Sequence, residues 1–314
     1  MTAGPARQEC QPAPHCTLKM VTNGYEACDI TLTLCGIALR IVSELPLRVN
    51  SGIGTFQTPS APDVTVQVRS GVLRFPDRLR GSDRLMDYSA EGEYLLAAGK
   101  NTVGTAMAWV KYRPDFSDVE VLLDVDHFGR DILQCCEVLK YFPIRELLAR
   151  YDAVLLHSSR VETGGRAILF SAPSGTGKST QARLWEQYAG ARIVSSDRTI
   201  VRRIDGQFFT SGFPVDGSEP ILDPGIIPLG AVVLLRQGTE NRAERIPAGQ
   251  ALVFLMEQTA LNRWDGAGMT QAMLFWSDLL AECPAILLTC RPDEGAVRCL
   301  QDALNENGGM RLCP

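Results

Sequence analysis

The sequence predicts an α/β fold in two parts, a C-terminal α/β core preceded by a smaller, mainly β N-terminal domain. Three observations carry this expectation. Residues 167–180 read Ala-Ile-Leu-Phe-Ser-Ala-Pro-Ser-Gly-Thr-Gly-Lys-Ser-Thr, an apolar run followed by a turn-rich loop and a helix start. Around that stretch, short apolar runs at 153–156, 192–195, 231–235 and 285–289 alternate with helical patterns at 178–188, 249–261, 270–282 and 294–305. Ahead of residue 150 the pattern is instead two-residue alternation broken by Gly and Pro, the mark of a small antiparallel unit.

Residues 1–20, with Pro5, Pro12 and Pro14 and little apolar content, read as a flexible tail. Ile30, Leu32 and Leu34 alternate within 29–42, which reads as a strand paired with a second one through Gly36. Val64, Val66 and Val68 alternate as a half-buried strand does, and 94–98, 105–112 and 119–125 are further strand candidates. Residues 131–150 turn helical, with Ile132, Cys136 and Leu139 on one face and Pro143 splitting the pattern into two helices. Residues 21–150 are thus expected to form an N-terminal α+β domain with a substrate- or partner-binding role, and 151–314 the core. Within the core, Ala182, Trp185 and Ala189 share one helix face, as do Val297, Leu300 and Leu304.

A chain of 314 residues, 45% apolar and 21% charged, has the make-up of a soluble globular protein. The net charge of −5 leaves no basic excess to neutralise a phosphate backbone, so no nucleic-acid partner is expected. No apolar run is long enough to cross a bilayer and residues 1–15 carry no hydrophobic signal segment, so no membrane partner and a cytoplasmic location are expected. The ten cysteines include no Cys-x2-Cys pair and are accompanied by three histidines, which favours reduced thiols over a metal or disulfide framework. Cys35, Cys136 and Cys290 fall inside apolar runs, where a thiol behaves as a small hydrophobe.

The 167–180 stretch fits [Ala/Gly]-x4-Gly-Lys-[Ser/Thr], with Ala172 first, Gly177-Lys178 in the middle and Ser179 last. This is a phosphate-binding loop in a strand–loop–helix context, and Pro173, Ser174, Gly175, Thr176, Gly177, Lys178, Ser179 and Thr180 are its candidate nucleotide-binding residues. The glycines free the backbone to turn successive N–H groups toward phosphate oxygens, and the positive end of the following helix adds to the attraction. Lys178 supplies a charge for the β- and γ-phosphates, and the Ser179 hydroxyl is a candidate Mg²⁺ ligand. A second Mg²⁺ ligand should come from a neighbouring strand end. The 192–195 run leads into Ser196-Asp197-Arg198, which makes Asp197 that candidate, the alternative being a solvated turn carboxylate. A nucleoside phosphate and Mg²⁺ are therefore the expected ligands.

Ser-Ala-Pro-Ser-Gly-Thr-Gly-Lys-Ser-Thr followed by Ile-Val-Ser-Ser-Asp-Arg resembles the catalytic core of HPr kinase/phosphorylase and its relative phosphoenolpyruvate carboxykinase. That family carries a His about fifteen residues before the loop's first position, and His157 stands fifteen before Ala172. The resemblance covers about residues 150–305 and is greatest to the small HPr-kinase-like proteins of ribosomal peptide modification, including lasso peptide kinases. It implies a P-loop core of the HPr kinase/phosphoenolpyruvate carboxykinase type. It also implies an ATP-dependent kinase acting on a hydroxyl, that of serine in a peptide or small protein. Lys178, His157 and Asp197 would be its catalytic residues, with Ser179 and Asp197 at the metal. Two departures stand out: Ala172 replaces Gly, and Ser196-Asp197 replaces Asp-Asp. A serine hydroxyl has no useful proton affinity near neutral pH and cannot stand in for a carboxylate base.

Ser196 keeps open a second reading, a nucleotide-binding regulatory or scaffolding protein with little catalysis. A small-molecule kinase acting, for instance, on free serine is a third. A carboxykinase is disfavoured by the short chain and the lack of a second cluster of metal ligands. Arg198 is a candidate phosphate contact or an exposed charge. Asp216, Glu219 and Asp223 occupy a Gly/Pro-rich loop that suits a substrate-facing role or is simply solvated, and Trp264-Asp265-Gly266 with Gly268 suggests a mobile lid. A homo-oligomer is compatible with all of these readings.

Overall fold

The computed structural model describes residues 21–22, 25–26, 28–128, 133–215 and 222–305. β1 (Val21–Thr22) and β2 (Tyr25–Glu26) pair as a short ribbon. β3 (Cys28–Leu34) and β4 (Ile37–Ser43) form the expected hairpin, turned by Cys35 and Gly36 at φ 53° and 80°. Two positive φ values in a two-residue turn match the twist of the strands they join. After the one-turn α1 (Ser51–Gly54) come β5 (Val64–Ser70), β6 (Gly81–Ser82), β7 (Met86–Glu91), β8 (Tyr94–Lys100), β9 (Ala106–Tyr112) and β10 (Val119–Leu123). These strands make a mixed eight-stranded sheet in the order β3-β4-β5-β10-β9-β8-β7-β6. The β4–β5 and β5–β10 pairs are parallel and the others antiparallel. In β5 the alternation reads through directly, with Val64, Val66 and Val68 buried and Gln67 exposed.

α2 (Val125–Phe128), α3 (Cys135–Tyr141) and α4 (Ile144–Arg150) follow, with Pro143 separating the last two as its missing N–H and fixed φ require. Asp131 and Ile132, expected to open this helical stretch, lie outside the described residues, as do residues 1–20.

A second eight-stranded sheet is built from β11 (Ala153–Thr163), β12 (Arg166–Ser171), β13 (Arg192–Ser195), β14 (Arg198–Ile204), β15 (Gln207–Gly212), β16 (Ile227–Gln237), β17 (Arg242–Arg245) and β18 (Ile286–Cys290). α5 (Lys178–Ala189) connects β12 to β13. α6 (Ala248–Gln258) and α7 (Gly266–Glu282) lead into β18, and α8 (Glu294–Asn305) ends the described chain. β12, β16 and β18 run parallel side by side. The side chains of each central strand alternate between two apolar layers. Leu169, Val232, Leu234 and Leu287 face the layer of α6 and α7, whereas Ile168, Phe170, Val233 and Leu288 face that of α5 and α8. Burial on both faces is why these runs are continuously apolar.

The expected strand at 153–156 is only the start of β11, which continues through Ser158, Ser159 and Arg160, all buried. Arg160 is tolerated there because its guanidinium donates to the backbone carbonyls of Asp223 and Gly225, each at 3.0 Å, while burial pushes its pKa down to about 10. β14 and β15 were not expected at all. β14 reads Arg-Thr-Ile-Val-Arg-Arg-Ile, and its charged ends hide the buried Ile200 and Val201. Its hairpin partner follows an Asp205-Gly206 turn with φ 49° and 81°. Ala153, Leu155, Ile200 and Phe213 join the apolar cluster of the first sheet, so the two sheets meet across a common core.

That junction also corrects the lid expectation. Trp264 packs on Tyr88 with ring centroids 4.8 Å apart, and a Cβ on Gly81 would stand 2.1 Å from its indole. Asp265 caps α7 by accepting from the Ala267 amide at 3.2 Å. The segment is a packed wedge between β6–β7 and α7, held by close contact rather than poised to swing.

Candidate active site

Ala172 to Gly177 form the loop between β12 and α5, where a strand buried on both faces delivers the chain to a helix start. Gly175 and Gly177 have φ of 79° and 116°, backbone that side-chain-bearing residues rarely adopt, and no atom lies within 4 Å of where a Cβ would stand on either. The left-handed Gly177 is the N-cap of α5 and makes no side-chain cap bond, which leaves the first-turn amides of the helix without a side-chain cap. Lys178 is largely buried, and its Nζ donates to the carbonyls of Ala172 at 2.9 Å and Pro173 at 3.3 Å. Burial pushes its pKa down, partly offset by the Asp197 carboxylate.

Asp197 reaches the same place by a different route. β13 and β14 both pair with β11, β13 beside Arg160–Glu162 and β14 beside Ala153–His157. Between them only Ser196 and Asp197 span the switch from one ladder to the next, and the Ser158 amide donates to the Asp197 carbonyl at 3.0 Å. His157, within β11, places Nε2 3.1 Å from Asp197 Oδ1, while its backbone carbonyl accepts from Ser171 Oγ at 3.0 Å. The hydrogen bond with His157 holds the Asp197 carboxyl below the usual carboxylate range against partial burial, with the charges of Arg198 and Lys178 adding to the effect. Arg198 Nε lies 3.5 Å from Asp197 Oδ2, with the arginine side chain 46% exposed.

These parts surround one cavity of about 290 Å³ lined by His157, Ser174, Gly175, Gly177, Lys178, Ser179, Thr180, Ser196 and Asp197. Of the expected residues, Pro173 and Thr176 do not line it. Within the loop the Thr176 amide donates to the Pro173 carbonyl at 3.3 Å. Ser179 supplies a hydroxyl and Asp197 a carboxylate to the same space, and no group of three or more acidic, Cys or His ligands occurs among the described residues. A donor set this small suits Mg²⁺, which is held by one or two protein oxygens together with substrate phosphates, and not a metal caged by protein alone. Cys35, Cys135, Cys136, Cys290 and Cys299 carry free thiols.

Several supporting residues have no motif of their own. Gln237 Nε2, at the end of β16, lies 3.4 Å from the carbonyls of both Gly175 and Thr176. Ser159 Oγ donates to the Lys178 carbonyl at 2.9 Å. A polar residue amid the apolar run of β11 was the one available signal for Ser159; Gln237 carried none. Asp216 and Glu219 lie outside the described residues. Asp223 lines neither this cavity nor the one beside it. Burial pushes its carboxyl up, but the Gly225 amide and the pair with Arg192 outweigh this and hold it low, and its carbonyl receives Arg160. Its role is structural rather than substrate-facing.

No helix among the described residues is long and apolar enough to cross a membrane. No curated protein matches the chain. A family model described as SynChlorMet cassette protein ScmC matches residues 124–275, a stretch that contains the 172–177 loop, His157, Ser179 and Asp197.

Proposed function

We propose that the protein is an ATP- and Mg²⁺-dependent kinase, with a P-loop core of the HPr kinase/phosphoenolpyruvate carboxykinase type, that transfers the γ-phosphoryl group to a hydroxyl of a peptide or small protein. The observation that supports this best is the meeting of a glycine loop, a helix start, Lys178 and Ser179 with the His157–Asp197 pair around one small polar cavity. The loop amides and the α5 N-terminus receive phosphate oxygens. Lys178, now satisfied by the loop's own carbonyls, exchanges them for phosphate. Ser179 and Asp197 would hold Mg²⁺, which when bound would neutralise phosphate charge. In transfer, the acceptor oxygen bonds to the γ-phosphorus as the bond to the β,γ-bridging oxygen breaks and ADP leaves. The acceptor proton passes to Asp197, whose carboxylate His157 orients. A carboxylate held this low is a weak base, which suits a loose transition state in which positioning and charge do most of the work. Free thiols agree with a reduced, cytoplasmic setting.

Purified protein incubated with ATP and Mg²⁺ tests this. Consumption of ATP that Lys178→Ala lowers by roughly 10²–10³-fold supports the kinase, that being the typical cost of one charge-stabilising donor. Ser196 favours the second reading, a regulatory nucleotide binder, because the position next to Asp197 lacks a carboxylate. ATP binding without turnover on any acceptor would establish that reading instead. Because the matching family is described as a cassette protein, candidate acceptors are best sought among the products of neighbouring genes.

A further inference from the structure

A second cavity, of about 480 Å³, adjoins the first. The two share just two lining residues, His157 and Asp197. Whatever occupies the second cavity therefore meets the nucleotide cavity at the pair that would receive an acceptor's proton. Its walls come from distant parts of the chain: Leu85, Met86 and Tyr88 at β7, the α3–α4 corner around Phe142 and Pro143, Phe213 and Val215 after β15, and Gln258 at the end of α6. We infer that this cavity is the acceptor site, and that it takes a hydroxyl-bearing peptide residue flanked by apolar side chains. The inference rests on the kinase reading for its chemistry, but the cavity is defined without it.

The lining decides the class of acceptor. Leu85, Met86, Phe142, Phe213 and Val215 offer apolar surface that free serine, compact and polar throughout, would leave without ligand contact. Gln258, whose side chain has no hydrogen-bond partner among the described residues, brings an amide that both donates and accepts, as a peptide backbone requires. Lys140, Arg145 and Arg198 bring positive charge to the lining. Against them stand the Asp197 carboxylate and Glu146, whose carboxyl burial pushes toward its neutral form, so the lining keeps more positive than negative groups and a basic peptide is disfavoured.

The test uses the full chain with ATP and Mg²⁺ and serine peptides of equal length flanked by Leu, Ala or Lys, alongside free serine and a simple aliphatic alcohol. Transfer is expected to favour Leu over Ala flanks by about tenfold, the scale of burying one large aliphatic side chain, with Lys flanks and both small molecules poorer still. Leu85→Glu at the rim, where Leu85 is 52% exposed, and Val215→Glu should each lower transfer to the Leu-flanked peptide by about tenfold or more. Val103→Glu, on a side chain 83% exposed and outside both cavities, should leave it unchanged. Thermal unfolding separates a lost site from a lost fold. ATP turnover with no preference among flanks, or equal use of free serine or the alcohol, overturns the acceptor assignment while the kinase reading stands. Calorimetric binding of the Leu-flanked peptide that Leu85→Glu abolishes, without any transfer, keeps a peptide site here and defeats the kinase reading. Neither transfer nor binding overturns the inference outright.

Discussion

The two cavities that meet at His157 and Asp197 are built by opposite means. The smaller, polar one draws most of its lining from residues 174–180, a contiguous stretch whose backbone is set by two left-handed glycines and a helix start. The larger one, apolar over part of its wall and charged over the rest, draws on residues from Leu85 to Ala260 and exists only because the two sheets share a core. Chemistry common to many phosphate sites needs local backbone geometry, which neighbouring residues supply. Selection of an acceptor needs a shaped surface, and here that surface is gathered across the fold. On the proposed reading, the first cavity sets what is transferred and the second sets what receives it.

Substitutions can separate these roles. The largest effect is expected for Asp197→Asn, which sits where the cavities meet and removes the one carboxylate facing both. It should lower kcat by about 10²–10⁴-fold, the usual worth of a positioned acid or base, with ATP affinity measured separately by calorimetry. Next comes His157→Gln. It keeps a side chain able to hydrogen-bond but loses the imidazole 3.1 Å from Asp197, and on the proposed reading, in which Asp197 would hold the metal, a loss of roughly 10–100-fold in kcat is expected. An effect as large as that of Asp197→Asn would give His157 the base role itself.

Gly81→Ala probes the junction without touching the loop. Its methyl group would stand 2.1 Å from the Trp264 ring, so the wedge against Tyr88 must shift, at a cost of about 1–3 kcal/mol in chemical denaturation. Tyr88 also lines the larger cavity, so the variant should disturb peptide selectivity more than ATP affinity. Unchanged stability would show that the junction is loosely packed. The smallest effect concerns pH. The Asp197 carboxyl is held below its ordinary value mainly by His157, so its ionised form is favoured by folding. It therefore contributes stability above the ordinary carboxylate value of 3.8, and that contribution is lost as pH falls through the lower, folded value. Acid unfolding curves of the wild type and Asp197→Asn should thus diverge above that window and converge below it.

Much of the core could be read directly because burial on two faces writes itself as unbroken apolar runs, as in β12, β16 and β18. The 131–150 stretch was split at Pro143 for an equally local reason. β14 is harder to read because arginines toward both ends of this interior strand break the apolar pattern without breaking the strand. Arg203, for example, is held by Asp152 at 2.6 Å and Asp278 at 2.9 Å, partners far away in sequence. Trp264 owes its packing to an equally distant partner. Glycines beside an aromatic resemble a hinge until Gly81, a long way upstream, is seen to clear the space for the ring.

Local order along the chain determined the strand, the glycine loop, the helix start with Lys178 and Ser179, and the candidacy of His157 and Asp197, since each depends on neighbours a few residues away. Tertiary structure alone decided that His157 and Asp197 touch, that Gln237 and Ser159 brace the loop and its helix, and that Asp223 serves Arg160 and Arg192 rather than a substrate. It also decided that a second cavity opens behind the pair. Those outcomes depend on strand pairing and on which side chains must share a dry interior, and neither is encoded by any short stretch of residues.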